Sequence, residues 1–201
     1  MPNANRPTGL SPVKMVTGAP YNGQATIYSI AASYTVALAI GDPVISTGTA
    51  DANGVAGIAL AAATGPIRGV IVGIGSQYES MIGNIVNPNI TYRPAASQTD
   101  VWYAMVVDDP NVIFEVQENA NGTALAATDV GLNQVLKLGT NNGYVSGWMV
   151  ASATEATPAV TATLQVRLLG LARRSDNAFG AYAKWNVLIN AHELRVGQVG
   201  L

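Results

Sequence analysis

The sequence DVWYAMVVDDPNVIFEVQE, which runs from Asp100 to Glu118, decides the fold class. Its first half, Val101 to Val107, is an unbroken apolar run with two aromatic residues, which is typical of a strand covered on both faces. The second half alternates, with Val112, Phe114 and Val116 on one face and the intervening residues on the other. We therefore predict a central strand followed by a strand that has one solvated face.

The link between these strands, Asp108-Asp109-Pro110-Asn111, has the chemistry of a tight turn. An Asp side chain can bind the backbone two residues further on, and Pro presets φ for the second position of a type I turn. This turn accounts for both Asp residues. The sequence predicts a four-residue hairpin loop that brings the second strand back alongside the first.

Shorter strands with turn residues between them fill the rest of the chain. Gly69 to Gly75 is typical of a strand, and Trp185, Val187 and Ile189 alternate with a second set of residues, Asn186, Leu188 and Asn190. The phase of a third strand slips at Leu168-Leu169-Gly170, where we expect a bulge. The pattern predicts an all-β fold, an antiparallel sandwich or barrel of jelly-roll-like type, with Trp102, Trp148 and Trp185 in its core.

The first 22 residues differ from the remainder. Met1 to Asn22 contains four prolines and almost no periodicity, which predicts an extended N-terminal arm. Such an arm is either a disordered tail or a segment that orders against another subunit. Residues 23–201 are predicted to form a single β-rich domain, and the arm lacks the apolar centre of a secretory signal.

Composition narrows the classes of partner. Charged residues make up 11% of the 201 residues, against about 25% in ordinary soluble domains, so we expect partners to cover much of the surface. A net charge of −2 opposes nucleic-acid binding through a basic surface. The longest apolar runs are too short for a membrane span, and without Cys there is neither a disulfide nor a thiolate metal site.

The search for catalytic chemistry finds little. His192 is the one histidine, and a surface or hydrogen-bonded role is favoured over catalysis. A solvated face explains Glu115, and the end of a strand explains Glu118. Asp51-Ala52-Asn53-Gly54 is similar to the start of a calcium loop but lacks the later acidic ligands, so a tight turn is favoured. We predict no catalytic, cofactor-binding or metal-binding residue.

Three segments carry a resemblance to a known group of proteins. Asn5 to Lys14, Val107 to Glu118 and Ser175 to Gly200 together resemble capsid cement or head-decoration proteins of tailed bacteriophages. The resemblance implies a non-enzymatic homo-oligomer, a dimer or trimer, that binds the major capsid protein on the outer surface of the virion after assembly in the host cytoplasm. It also implies that the protein clamps neighbouring capsomers and needs no cofactor, membrane or direct contact with nucleic acid.

The interface is predicted to use the arm and a basic pair near the C terminus. Arg173 and Arg174 could meet the acidic central stretch of another copy, although two solvated faces explain the same charges. Three alternatives remain open: another virion component such as a coat, tail or fibre protein, a carbohydrate-binding sandwich that stacks sugars on tryptophan, and a hydrolase with paired carboxylates. The candidate interface residues are Arg6, Pro7, Leu10, Pro12, Val13, Arg173 and Arg174.

Overall fold

A computed structural model describes residues 3–75, 90–139, 144–195 and 200, and these residues form an all-β fold, as predicted. The helical content of the described residues is one 3₁₀ turn, Ala127–Asp129, so no described helix is long enough to cross a membrane. The strands are β1 (Ser11–Met15), β2 (Thr26–Ile30), β3 (Leu38–Ala39), β4 (Pro43–Ala50), β5 (Ala56–Leu60), β6 (Gly69–Gly75), β7 (Tyr92–Arg93), β8 (Trp102–Val107), β9 (Val112–Gln117), β10 (Asn133–Gln134), β11 (Leu136–Leu138), β12 (Trp148–Val150), β13 (Val166–Leu171) and β14 (Lys184–Ile189).

Two larger sheets organise these strands. Five of them close into a barrel in the order β2-β5-β4-β6-β8, and the other large sheet has five antiparallel strands in the order β1-β9-β14-β13-β10. Within the barrel, β2 and β5 are parallel and share a single register pair, whereas the other neighbours are antiparallel. Two-stranded sheets, β3-β7 and β11-β12, complete the strand pairing.

The predicted hairpin between β8 and β9 is wrong, because the two strands belong to different sheets. β8 pairs with β2 and β6 in the barrel, whereas β9 pairs with β1 and β14. The turn itself is present, since Asp109 accepts a hydrogen bond from the backbone N–H of Asn111. Asp108 instead accepts hydrogen bonds from the hydroxyls of Thr26 and Tyr28 on β2. The turn therefore carries the chain from one sheet to the other.

The N-terminal segment lies on the chain's own five-stranded sheet over its described residues. Strand β1 pairs with β9 along the edge, and the backbone N–H of Arg6 donates to the side chain of Gln117 at 2.7 Å. Leu10 is 1% exposed and packs in the core beneath this sheet. Burial of Leu10 contradicts its predicted place at an interface, because an apolar side chain already inside the core has no surface to offer.

The core has two clusters that follow the two large sheets. The inner face of the five-stranded sheet contributes Phe114, Val116, Trp185 and Val187, and Trp148 packs with them. A second cluster fills the barrel and includes residues from β2, β4, β6 and β8. The predicted core positions of Trp148 and Trp185 are confirmed, whereas Trp102 is only half-buried at the rim of the barrel cluster.

Candidate functional site

Glu118 is a buried carboxylate on the inner side of the five-stranded sheet. It lies at the end of β9, as predicted, but it continues the inward phase of Val112, Phe114 and Val116 and is 0% exposed. Its Oε1 accepts from the backbone N–H of Leu125 at 2.7 Å, and its Oε2 accepts from the indole Nε1 of Trp185 at 3.0 Å. Burial raises the pKa of Glu118 to about 7. The group fastens the loop after β9 to the core.

Asp42 is a second buried carboxylate, and it lies in the turn between β3 and β4. Its Oδ2 accepts from the backbone N–H of Ala39 at 2.8 Å, and the Ser146 hydroxyl also binds the carboxylate. Burial raises the pKa of Asp42 to about 6. These contacts hold a tight turn against a neighbouring loop, which is a structural role.

His192 is 3% exposed and hydrogen-bonded. Its Nδ1 accepts from the backbone N–H of Leu194 at 3.0 Å, and burial together with Arg195 and Arg68 lowers its pKa to about 4. The imidazole is therefore neutral near pH 7. The sequence favoured a surface or a hydrogen-bonded histidine over a catalytic one, and His192 is hydrogen-bonded within the fold.

Arg68 centres a polar cluster between the barrel and the C-terminal strands. Its Nε donates to the hydroxyl of Tyr28 at 2.7 Å, and its guanidinium lies 3.5 Å from Asp108 and 4.0 Å from Glu193. Glu193 in turn accepts hydrogen bonds from the backbone and hydroxyl of Ser46. Each charge has a protein partner, so this cluster joins elements of the fold and leaves no group poised for chemistry.

A pocket of about 250 Å³ opens where β2 and β5 separate, and its lining is mainly apolar. Its acidic residue, Asp51, accepts hydrogen bonds from the backbone N–H groups of Asn53 and Val55 and from the hydroxyl of Tyr103. Asp51 thus serves the local turn that the sequence favoured over a calcium loop. The described residues contain no cluster of three or more His, Cys, Asp or Glu side chains suited to a metal ion.

The outer face of the five-stranded sheet is the side that is turned away from the core. On β9 and β14 the residues that alternate with the core, such as Ile113 and Asn186, point away from it. A broad depression of about 700 Å³ lies on this face. Leu169 and Phe179 line it and are 38% and 48% exposed. The remaining lining residues are Lys14, Ile113, Gly170, Leu171, Arg173 and Asn186.

Leu169 points outward because it follows the alternation of β13, and a β-bulge directly after it returns Leu171 to the core. The pairing of β13 with β14 shifts register between Leu168 and Gly170, where the sequence predicted a bulge. Gly170 has φ +136°, a conformation that side chains disfavour, so glycine suits this position. The extra residue leaves Leu168 and Leu171 packed against the core and Leu169 on the outer face.

A smaller polar depression, of about 230 Å³, adjoins the first and is lined by Arg6, Arg174 and Lys184 among others. Lys184 precedes Asn186 by two residues on β14, so both lie on the outward side of that strand. Glu115 on β9 lies 2.8 Å from Arg174 and 3.9 Å from Lys184. This carboxylate holds the two cations side by side on the face.

Positive charge is concentrated on this face. Six of the ten Lys and Arg residues of the chain lie on the strands of this face or line its two depressions. The same surface has two carboxylates, Glu115 and Asp176, so its charge is positive, although the whole chain has a net charge of −2. We call this surface, apolar at its centre and basic at its rim, the outer face. Its cations are Arg6, Lys14, Arg167, Arg173, Arg174 and Lys184.

The structure gathers only part of the predicted interface on the outer face. Arg6, Arg173 and Arg174 line its depressions, and Val13 lies at a bulge of the edge strand β1 and is 43% exposed. Pro7 and Pro12 are half-buried, and Leu10 belongs to the core. Sequence reasoning missed Leu169, Phe179, Lys14 and Lys184. The alternation of β13 was a usable signal for Leu169, since the residue next to the inward Leu168 points outward.

Comparisons of the chain with protein-family models, with curated proteins and with solved structures gave no match.

Proposed function

We propose that this chain is a structural protein of a tailed-bacteriophage virion, a cement or decoration protein that binds the outer surface of the icosahedral head and stabilises contacts between capsomers. The outer face carries the proposal. It presents an apolar centre with a basic rim, whereas the buried carboxylates Asp42 and Glu118 serve the fold. A surface of this composition is typical of protein–protein recognition.

Two features of the sequence support this function. The three segments that resemble head-decoration proteins lie at the start, middle and end of the chain, and charged residues make up only 11% of it. Low charge suits a protein that spends its working life against a lattice and copies of itself. No catalytic group is needed for such a role.

The mechanism is passive clamping by a rigid block. Each copy contacts shell subunits that are already held in place, so modest individual contacts add up across the lattice. The described N-terminal residues belong to this block, since β1 pairs with β9 and Leu10 packs in the core. We therefore propose the outer face as the contact in place of the arm, because removing the arm would also remove part of the core.

The decisive experiment is a measurement of copy number. Purified virions and their emptied heads are analysed for this chain relative to the major shell subunit, by quantitative mass spectrometry. A large, fixed ratio on heads is the expected result. A handful of copies confined to tails, or absence from particles, would refute the cement function.

The tryptophan residues help to distinguish the proposed cement function from carbohydrate binding. Trp148 and Trp185 are 1% and 0% exposed, so neither offers a ring face to a sugar. Half-buried Trp102 alone remains for such stacking. Quenching of tryptophan fluorescence by added glycans, together with absence from heads, would favour a carbohydrate-binding module instead.

A further inference from the structure

We propose that the outer face binds a segment of the shell subunit in which apolar side chains are flanked by carboxylates. This inference rests on the proposed function and adds the chemistry of the partner. The depression of about 700 Å³ is wide enough for several side chains, and its exposed Leu169 and Phe179 are the apolar contacts. Aromatic and aliphatic anchors of this kind supply most of the binding energy of an interface.

The cations at the rim favour an acidic partner. Within the described part of the chain, Lys14, Arg173 and Arg6 form no ion pair, although each lines a depression on this face. Carboxylates placed opposite these side chains would gain favourable interactions and speed association. Glu115 already fixes Arg174 and Lys184, so part of the rim is ordered before binding.

A second copy of this chain is a poor occupant. In a two-fold contact the same surface meets itself, which would place the basic rim of one copy against that of the other. The chain also has few carboxylates to spare. Glu118 and Asp42 are buried, Asp108 and Glu193 face Arg68, and Glu155 binds Lys137.

The test is a rebinding assay. Emptied heads are stripped of this protein, and the purified full-length chain is added back to them. One variant, Lys14→Glu with Arg173→Glu, reverses the rim, and another, Leu169→Ser with Phe179→Ser, removes the apolar centre. Val36→Ser, on a 43% exposed residue between β2 and β3, and Lys137→Glu, on β11, are matched controls away from the outer face. Bound copies per head are measured against concentration of the chain, and thermal unfolding verifies that every variant folds.

We expect each face variant to lose affinity by about tenfold or more, while the controls bind like the unchanged chain. Raising the salt from about 0.1 M to about 1 M, which shortens the Debye length from about 10 Å to about 3 Å, should weaken the unchanged chain more than the rim-reversed variant.

Four results would overturn the inference. If the unchanged chain binds heads and both face variants bind equally well, the outer face is not the contact and the cement function stands. If only the apolar variant fails and salt has no effect, the partner is not acidic. If light scattering shows that the unchanged chain is a dimer and that the variant with Lys14→Glu and Arg173→Glu is a monomer, the occupant is a second copy. If the unchanged chain does not bind heads at all, the proposed function fails as well.

Discussion

The two faces of the five-stranded sheet obey different rules. Along β14, Trp185, Val187 and Ile189 are fully buried, whereas Asn186 and Leu188 between them remain partly exposed. Packing fixes the inward residues, since any loss of volume there leaves a cavity. The outward residues of β14 are under less constraint of this kind, because they are partly exposed. Under the function proposed above, the mixture of apolar and basic side chains on this face would be set by the partner that it contacts.

Two glutamates on β9 and at its end show the same contrast. Glu115 points outward and forms ion pairs with Arg174 and Lys184, whereas Glu118, three residues later, is buried between Leu125 and Trp185. One carboxylate organises a surface, and the other organises the core. A set of substitutions that compares the faces separates these roles.

The largest effect is expected for Trp185→Ala. The substitution removes a fully buried indole and leaves Oε2 of Glu118 without its donor, so the free energy of unfolding should fall by about 3 to 5 kcal/mol. Asn186→Ala, one residue further along on the outer face, is the control and should cost under about 0.5 kcal/mol. Urea unfolding measures both. Equal effects would show that the two faces are not distinct in packing.

Leu10→Ala tests whether the N-terminal segment belongs to the block. Because Leu10 is 1% exposed within the core, we expect a loss of about 2 to 4 kcal/mol in the free energy of unfolding. Val13→Ala, on the exposed bulge of β1, should change it by under about 0.5 kcal/mol. A silent Leu10→Ala would mean that the segment leaves the core in solution and is available to a neighbouring subunit.

Glu118→Gln should change the dependence of stability on pH. The pKa of Glu118 is raised from its ordinary value near 4.5 to about 7, so the folded state holds its proton more tightly than the unfolded state does. The contribution of this group is therefore greatest below pH 4.5 and is lost as the pH rises to about 7, by about 2 to 3 kcal/mol. Urea unfolding at several pH values measures this loss.

Other groups titrate in the same range, so the difference between the variant and the unchanged chain is the quantity to use. The pKa of Asp42 is raised to about 6, so the contribution of Asp42 to the free energy of unfolding also falls as the pH rises. His192 acts in the opposite sense, because a pKa lowered to about 4 makes stability rise between pH 4 and 6.5. A difference between the chains that stays constant from pH 4 to 8 would contradict the assignment to Glu118.

Local pattern predicted the strands well and their partners poorly. Gly69–Gly75, the alternation of β14 and the bulge at Leu168-Leu169-Gly170 follow from the sequence alone, because side-chain phase is a local property. The hairpin failed because the partner of a strand depends on contacts far away in sequence. Asp108 binds Thr26 and Tyr28, some 80 residues earlier, and nothing in the turn itself shows this.

The candidate site was only partly predictable for a similar reason. The Arg173-Arg174 pair could be recognised as an unusual local charge, and both residues lie on the outer face. Lys14 and Lys184 are isolated in sequence, and only the pairing of β1, β9 and β14 brings them to one surface. Glu118 could have been placed correctly, since it continues the inward phase of β9.

The smallest effect is expected for Arg174→Gln. Its side chain is 49% exposed, against 13% for that of Glu115. An ion pair with one partner in solvent contributes little, and Lys184 also lies near Glu115, so the free energy of unfolding should change by under about 0.5 kcal/mol in urea at moderate salt. Glu115→Gln is the matched control, and the double variant measures the coupling between the two. A loss above about 1 kcal/mol would make the pair a structural support of the sheet. A silent result would agree with the proposed contact between these cations and a partner, since six of the ten Lys and Arg residues lie on this face.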